Sequence, residues 1–206
     1  MVAVMLEKGA DINEMNRNGK TPLMMAAANG HTETVKLLLD RGAAVDAKDI
    51  DGVTALMMAA SSGMTDTVAL LIKAGANVNV VNAYNSSAVT NAAFFNQLPT
   101  LNELLKSKVK VSEEIGETAL LIAAGLGNDK IIQRLLDYGV NCNARGKNGR
   151  TPLMAAVEFN HLSTVELLLK HKADPKARDK DGGSVMNIAE KNDNKKIVAL
   201  LKKSGG

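Results

Sequence analysis

The stretch Gly19-Lys20-Thr21-Pro22-Leu23-Met24-Met25-Ala26-Ala27 returns almost unchanged as Gly149-Arg150-Thr151-Pro152-Leu153-Met154-Ala155-Ala156. Reading outward from it decides the fold. Thr21 is placed to cap a helix, with Pro22 at the first helical position, where its missing N–H costs nothing. Leu23, Ala26 and Ala27 form an i, i+3, i+4 face of a helix ending near Gly30. Val35, Leu38 and Leu39 lie on one face of a second helix, and Gly42 stands where a left-handed C-cap is expected. An extended segment, Ala43-Ala44-Val45-Asp46-Ala47, then leads to a turn at Asp51-Gly52.

This unit repeats. Thr21, Thr54 and Ser87 are 33 residues apart, as are Thr118, Thr151 and Ser184, and the step from Ser87 to Thr118 is 31. In phase with them run Ala26, Ala59, Ala92, Ala123, Ala156 and Ala189, and likewise Leu38, Leu71, Leu104, Leu135, Leu168 and Leu201. A fixed period of this length is the mark of a stacked repeat array. On these strings, with Gly9-Ala10-Asp11-Ile12-Asn13 and Gly75-Ala76-Asn77-Val78-Asn79, the chain resembles the ankyrin-repeat family over nearly its whole length. The resemblance implies an all-α solenoid of helix-turn-helix units with β-turn or hairpin fingers, about six repeats plus a partial N-terminal one. Residues 1–206 then form a single domain. Residues 1–16 are the partial repeat, aligned through Val2, Met5, Leu6 and Gly9. The inner repeats span 17–48, 49–81, 82–112, 113–145 and 146–177, and residues 178–206 form a capping repeat, polar at Glu190, Lys191 and Lys202. The first helix of the partial repeat is missing from this sequence.

The departures from the family pattern are local. The family's His after the TPL string is replaced by Met24, Met57, Thr90, Leu121, Met154 and Asn187, so apolar packing is expected in place of inter-repeat hydrogen bonds. The third repeat is the most altered, with Asn85 for the turn glycine, Asn96-Gln97 for Gly-His and Lys108 for the C-cap glycine. A kink or altered loop is expected after it rather than a domain break.

Composition bounds the function. Hydrophobic residues make up 46% of the chain, yet there is no Trp, only three Phe and two Tyr, so the core must be aliphatic. The net charge of +3 is concentrated at one end: from Lys170 onward there are 10 Lys and Arg against 5 Asp and Glu. A nucleic-acid binder would carry a continuous basic stripe interleaved with aromatics, and this chain has neither. One cysteine, Cys142, excludes an intrachain disulfide, and the compartment stays open between cytoplasmic and exported. No apolar run approaches a membrane span, and Met1–Leu6 is too short for the core of a signal peptide.

Catalysis needs converging groups. His31 and His161 share one phase and read as the start of second helices, while His171 falls on a Lys-rich turn. Cys142 has no neighbouring base to activate it. No enzyme, cofactor or metal is called for. The expected activity is binding of another protein, by a chain that is monomeric on its own, as an adaptor or regulator. Alternatives are a stoichiometric inhibitor or immunity-type protein that occludes a partner enzyme, and binding of nucleic acid or an anionic surface through the terminal lysines.

The resemblance also places the binding surface on the concave side, at the turn tips and the two residues after the Ala-Ala pair of each first helix. The candidates so marked are Ile50, Asp51, Val53, Tyr84, Phe94, Phe95, Ile115, Glu117, Leu126, Lys147, Arg150, Glu158 and Phe159. Every Phe of the chain is among them. Core aromatics would sit at the Leu38-type positions instead, and clustered exposed aromatics mark interaction sites. The competing expectation is that Phe94 and Phe95 turn inward to fill a gap in the third repeat, at least one of the adjacent pair pointing in.

Overall fold

The computed structural model describes residues 7–107 and 110–205. Val2, Met5, Leu6 and Lys108, used above to align the first repeat and the third, lie outside them. Contacts divide the chain into two compact units, Met1–Ser112 and Glu113–Gly206, at the short step, where a kink or altered loop without a break was expected.

In the first unit the helices are α1 (Pro22–Ala28), α2 (Thr32–Asp40), α3 (Ala55–Ser61), α4 (Thr65–Lys73), α5 (Ala88–Phe94) and α6 (Leu98–Leu105). In the second they are α7 (Glu113–Leu126), α8 (Asp129–Asp137), α9 (Pro152–Glu158), α10 (Leu162–Lys170), α11 (Val185–Lys191) and α12 (Lys195–Lys203). Each odd-numbered helix pairs with the even one after it. Within each unit the odd helices stack in a row, α1 on α3 on α5 and α7 on α9 on α11, and the even helices form a second row. Among the described residues the only β pairing is an isolated bridge between Arg178 and Ser184.

The core is built as the periodicity requires. All six in-phase leucines from Leu38 to Leu201 are fully buried, and the in-phase alanines are buried with them. Thr21, Thr54, Ser87, Thr151 and Ser184 cap α1, α3, α5, α9 and α11 by accepting the N–H of the third helical residue. Met24, where the family has His, is buried, and its sulfur accepts the Thr21 N–H at 3.5 Å.

Register between repeats is supported by polar side chains of adjacent repeats, 35 residues apart at the helix starts and 31 apart on the extended arms. The Thr32 and Thr67 hydroxyls meet at 3.1 Å, and Thr65 and Thr100 at 2.9 Å. On the extended arms, Asn13 accepts the Ala44 N–H at 2.8 Å, and Asn143 accepts that of Asp174 at 2.8 Å.

Four of the fingers close by an Asx-turn, while the finger with Gly146 at that position closes by backbone bonds without one. Asn16, Asp49, Asn82 and Asp179 each accept two backbone N–H groups, from the residues two and four positions on. The turn then needs a left-handed residue, supplied by Gly19, Gly52, Gly149 and Gly182, or by Asn85 with φ 58°.

The fourth finger does not form, which corrects the expectation for Ile115 and Glu117. These residues lie inside α7, which has 14 residues where its counterparts have 7. Ile115 is only 5% exposed and Thr118 is mid-helix rather than a cap. The reason is chemical. Glu113 occupies the phase of Asn16, Asp49 and Asn82, and one extra methylene makes its side chain too long for an Asx-turn. Glu113 and Glu114 instead favour a helix N-terminus. Gly116 keeps the phase of the finger glycines but is helical, where a Cβ would come within 3.0 Å of Val140.

Thr54 and Thr118 look equivalent in the repeat pattern and are not equivalent in the fold. Thr54→Ala is expected to cost about 1 kcal/mol through loss of the cap. Thr118→Ala, inside α7, should change stability by no more than about 0.5 kcal/mol. Urea unfolding of both variants checks the difference; equal losses would show that a fourth cap exists.

Candidate partner-binding surfaces

In the first unit, the fingers and the ends of the odd helices enclose a cleft of about 500 Å³. Asn18, Lys20, Asp49, Ile50, Asp51 and Val53 line it from the fingers, and Ala28, Met58, Ser61 and Ser62 from α1 and α3. Ile50 and Tyr84 stand exposed at the finger tips, while Asp51 and Val53 are half-buried. Tyr84 is held by its hydroxyl, which donates to Asp51 Oδ1 at 3.1 Å.

Phe94 closes α5 and Phe95 caps it. They are 54% and 51% exposed, so neither turns inward. Ala88, Val89, Ala92 and Ala93 occupy the buried face of α5 and leave no place for a ring. The two rings instead pack on each other edge to face, 5.0 Å between centroids at 77°, the arrangement aromatic quadrupoles favour. Of the nine large apolar side chains exposed among the described residues, seven belong to this unit, including Ile50, Tyr84, Phe94 and Phe95.

In the second unit, Phe159 caps α9 and is 60% exposed. A Cβ on Gly125 would meet its ring at 3.7 Å, so the ring lies over the bare backbone of α7, next in sequence to the exposed Leu126. Arg150 reaches from its finger to Glu158 at the end of α9: Nη1 donates to Oε1 at 3.2 Å, and Nη2 lies 2.7 Å from Oε2 as an ion-pair contact without hydrogen-bond geometry. Lys147 is exposed at the same finger. Glu117 lies on α7 and interacts with Asn141; burial, then the charge of Glu113, raises its carboxyl pKa.

Of the side chains that could do chemistry, His161, His171 and Cys142 have hydrogen-bond partners. His31 and His161 precede α2 and α10, and His161 Nε2 lies 3.1 Å from the Gly125 carbonyl. His171 is half-buried at the C-cap of α10 rather than on an open turn. Cys142 donates to the His171 carbonyl at 3.1 Å, and burial raises its pKa, away from thiolate character. Among the described residues no three His, Cys, Asp or Glu side chains gather to hold a metal ion, and no helix is long and apolar enough to cross a membrane. The Arg150–Glu158 pair is the feature that repeat phasing could not find, because its signal is a charge match eight residues apart, along the length of α9.

Stacked helix hairpins joined by Asx-turn fingers define a class of repeat protein. Residues 1–82 and 89–179 match the family profile described as ankyrin repeats (3 copies), and the chain belongs to the ankyrin-repeat family. Rabankyrin-5 from Homo sapiens is 33% identical over 94 residues, 44% of this chain and 8% of that protein. The B-cell lymphoma 3 protein homolog from Mus musculus is 36% identical over 91 residues, 44% of this chain and 20% of its own length. The chain therefore spans a small part of these curated relatives. Among solved structures, the ankyrin repeat domain of Bcl-3, described as a unique member of the IkappaB protein family, superposes with a TM-score of 0.84 at 29% identity, covering 92% of this chain and 88% of that one. The human ASB11 ankyrin repeat domain shares the fold at 24% identity, with a TM-score of 0.81 and coverage of 91% and 85%. Ankyrin repeats are protein–protein interaction modules.

The Tyr84 pKa is raised above its ordinary 10.0, first by the hydrogen bond to Asp51 and then by the Asp51 and Asp49 charges. Ionisation removes the proton that this bond needs, so the contact is present below the ordinary tyrosine pKa and lost as pH rises through the raised one. Asp51→Asn should bring the titration of Tyr84 down toward 10.0, followed by NMR of the tyrosine ring. An unchanged midpoint would show that the bond does not hold in solution.

Proposed function

We propose that this chain is a partner-binding module, an adaptor or regulator, that holds another protein against the finger and helix-end surface of its first unit. The observation that carries this reading is the exposed Phe94–Phe95 pair, in the same unit as the exposed Ile50 and Tyr84 and the open cleft beside Asp51. A side chain half in water contributes little to folding, whereas a ring desolvated by a partner commonly contributes ~2 kcal/mol or more to binding. The two rings pack on each other edge to face, a contact that restricts their freedom and lowers the ordering cost of docking. The similarity to other ankyrin-repeat proteins supports the general role. Occlusion of a partner enzyme's active site is a narrower form of the same reading, and the choice of partner decides it.

The test is a double variant, Phe94→Ala with Phe95→Ala. Its thermal midpoint should stay near that of the parent, since neither ring is enclosed. In quantitative affinity purification from the native cell, a species retained by the parent should lose affinity by about thirtyfold, the equivalent of ~2 kcal/mol. A stability loss of ~3 kcal/mol or more, as in core truncation, or an unchanged set of retained proteins, would overturn the assignment.

A further inference from the structure

The fingers of the second unit differ in chemistry from those of the first. In the first unit the tips are apolar at Ile50 and Tyr84, and the charges near them are mixed. In the second, the fingers carry Lys147, Arg150 and Lys180, with Arg145 and Arg178 at their bases. Arg145 and Arg178 are braces, donating to the carbonyls of Gly149, Arg178 and Gly182 at 2.8 to 3.2 Å. Asp179 is held in its own Asx-turn and keeps its negative charge there. What remains toward solvent is cationic, offset by Asp181.

Arg150 is the centre of this surface. The same register, finger residue to helix end, pairs Lys20 with Ala28, Val53 with Ser61 and Ser86 with Phe94. None of those can form an ion pair; here the Glu158 carboxylate is hydrogen-bonded to the guanidinium through Nη1 alone, while Nη2, 2.7 Å from Oε2, is buried without a hydrogen-bond partner. Planar two-point recognition of a carboxylate is what Arg does better than Lys. Glu158 is exposed and comes from the helix end, so it is a weak, replaceable occupant. Next to it in sequence stands Phe159, its ring laid over Gly125 and open to solvent on the other side.

We infer that the second unit docks an acidic segment of a partner protein, with an Asp or Glu side chain taking the place of Glu158 on Arg150. Lys147 adds attraction at the finger, and Phe159 takes an apolar side chain beside the acid. The inference rests on the partner-binding reading above and not on the Phe94–Phe95 pair. Discrete carboxylates fit better than a nucleic-acid backbone, because Glu158 and Asp181 interrupt the positive charge and no aromatic row accompanies it.

The experiment is an NMR titration of the full chain with a blocked hexaglutamate peptide, followed at the Arg150 side-chain nitrogen and the Lys147 amide. A thymidine hexanucleotide is the comparison. Saturable shifts at both positions, stronger with hexaglutamate, are expected and should weaken with added salt. Arg150→Gln should abolish the shifts at Lys147, and Glu158→Gln, which frees the guanidinium, should tighten binding by about two- to fivefold. No saturable shift, tighter binding of the hexanucleotide, or binding unchanged or weakened by Glu158→Gln would each overturn the inference. None of these results touches the aromatic surface, and a loss of partner capture by the Phe94/Phe95 variant would leave this one standing.

Discussion

Close approach of the odd-numbered helices through alanine is the constraint from which the rest follows. Ala26, Ala27, Ala59, Ala60, Ala92 and Ala93 in one unit, and Ala119, Ala123, Ala124, Ala156 and Ala189 in the other, are all closed to solvent. One methyl per position lets neighbouring helices pack at short range and leaves no volume for a ring. Leucines on the second helices fill the remaining space. A single hairpin could not bury these faces alone, so the stack is the smallest stable unit. Large aromatic side chains have nowhere to go but outward, and that same exclusion concentrates binding energy on the surface.

The fingers show how little chemistry a local structure can depend on. An Asn or Asp three residues before a glycine, or before Asn85, closes a turn and exposes the tip between them. The finger at Gly149 closes with Gly146 at that position, and there Arg145 supplies the bracing bond from its side chain. At Glu113 neither device is present, two residues are lost from the connection, and the chain continues as helix. The missing finger and the division into two compact units coincide.

The two units offer different chemistry to a partner. The first presents rings and aliphatic tips with a cleft between finger and helix end. The second presents cations, and an ion pair crosses the corresponding gap between Arg150 and Glu158. Apolar anchoring supplies affinity and charge supplies selectivity and approach rate. An interaction module carrying both on separate units can be weakened at either without unfolding, since neither surface contributes to the alanine- and leucine-lined core.

Much of this was legible in the linear sequence. The period places most of the caps and the buried leucines, because a repeat forces equivalent residues into equivalent environments; the family resemblance marked Phe94, Phe95 and Phe159 for the surface, and the fold decided against an inward turn of Phe94 and Phe95. The period fails at Ile115 and Thr118, where phase persists and conformation does not: a local side-chain length at Glu113 overrides the pattern. It is silent on Arg150 and Glu158 as a pair, on Tyr84 held by Asp51, and on Phe159 lying over Gly125. Those contacts join residues from different elements, and only folding sets the distances at which charge, hydrogen bonding and ring stacking act.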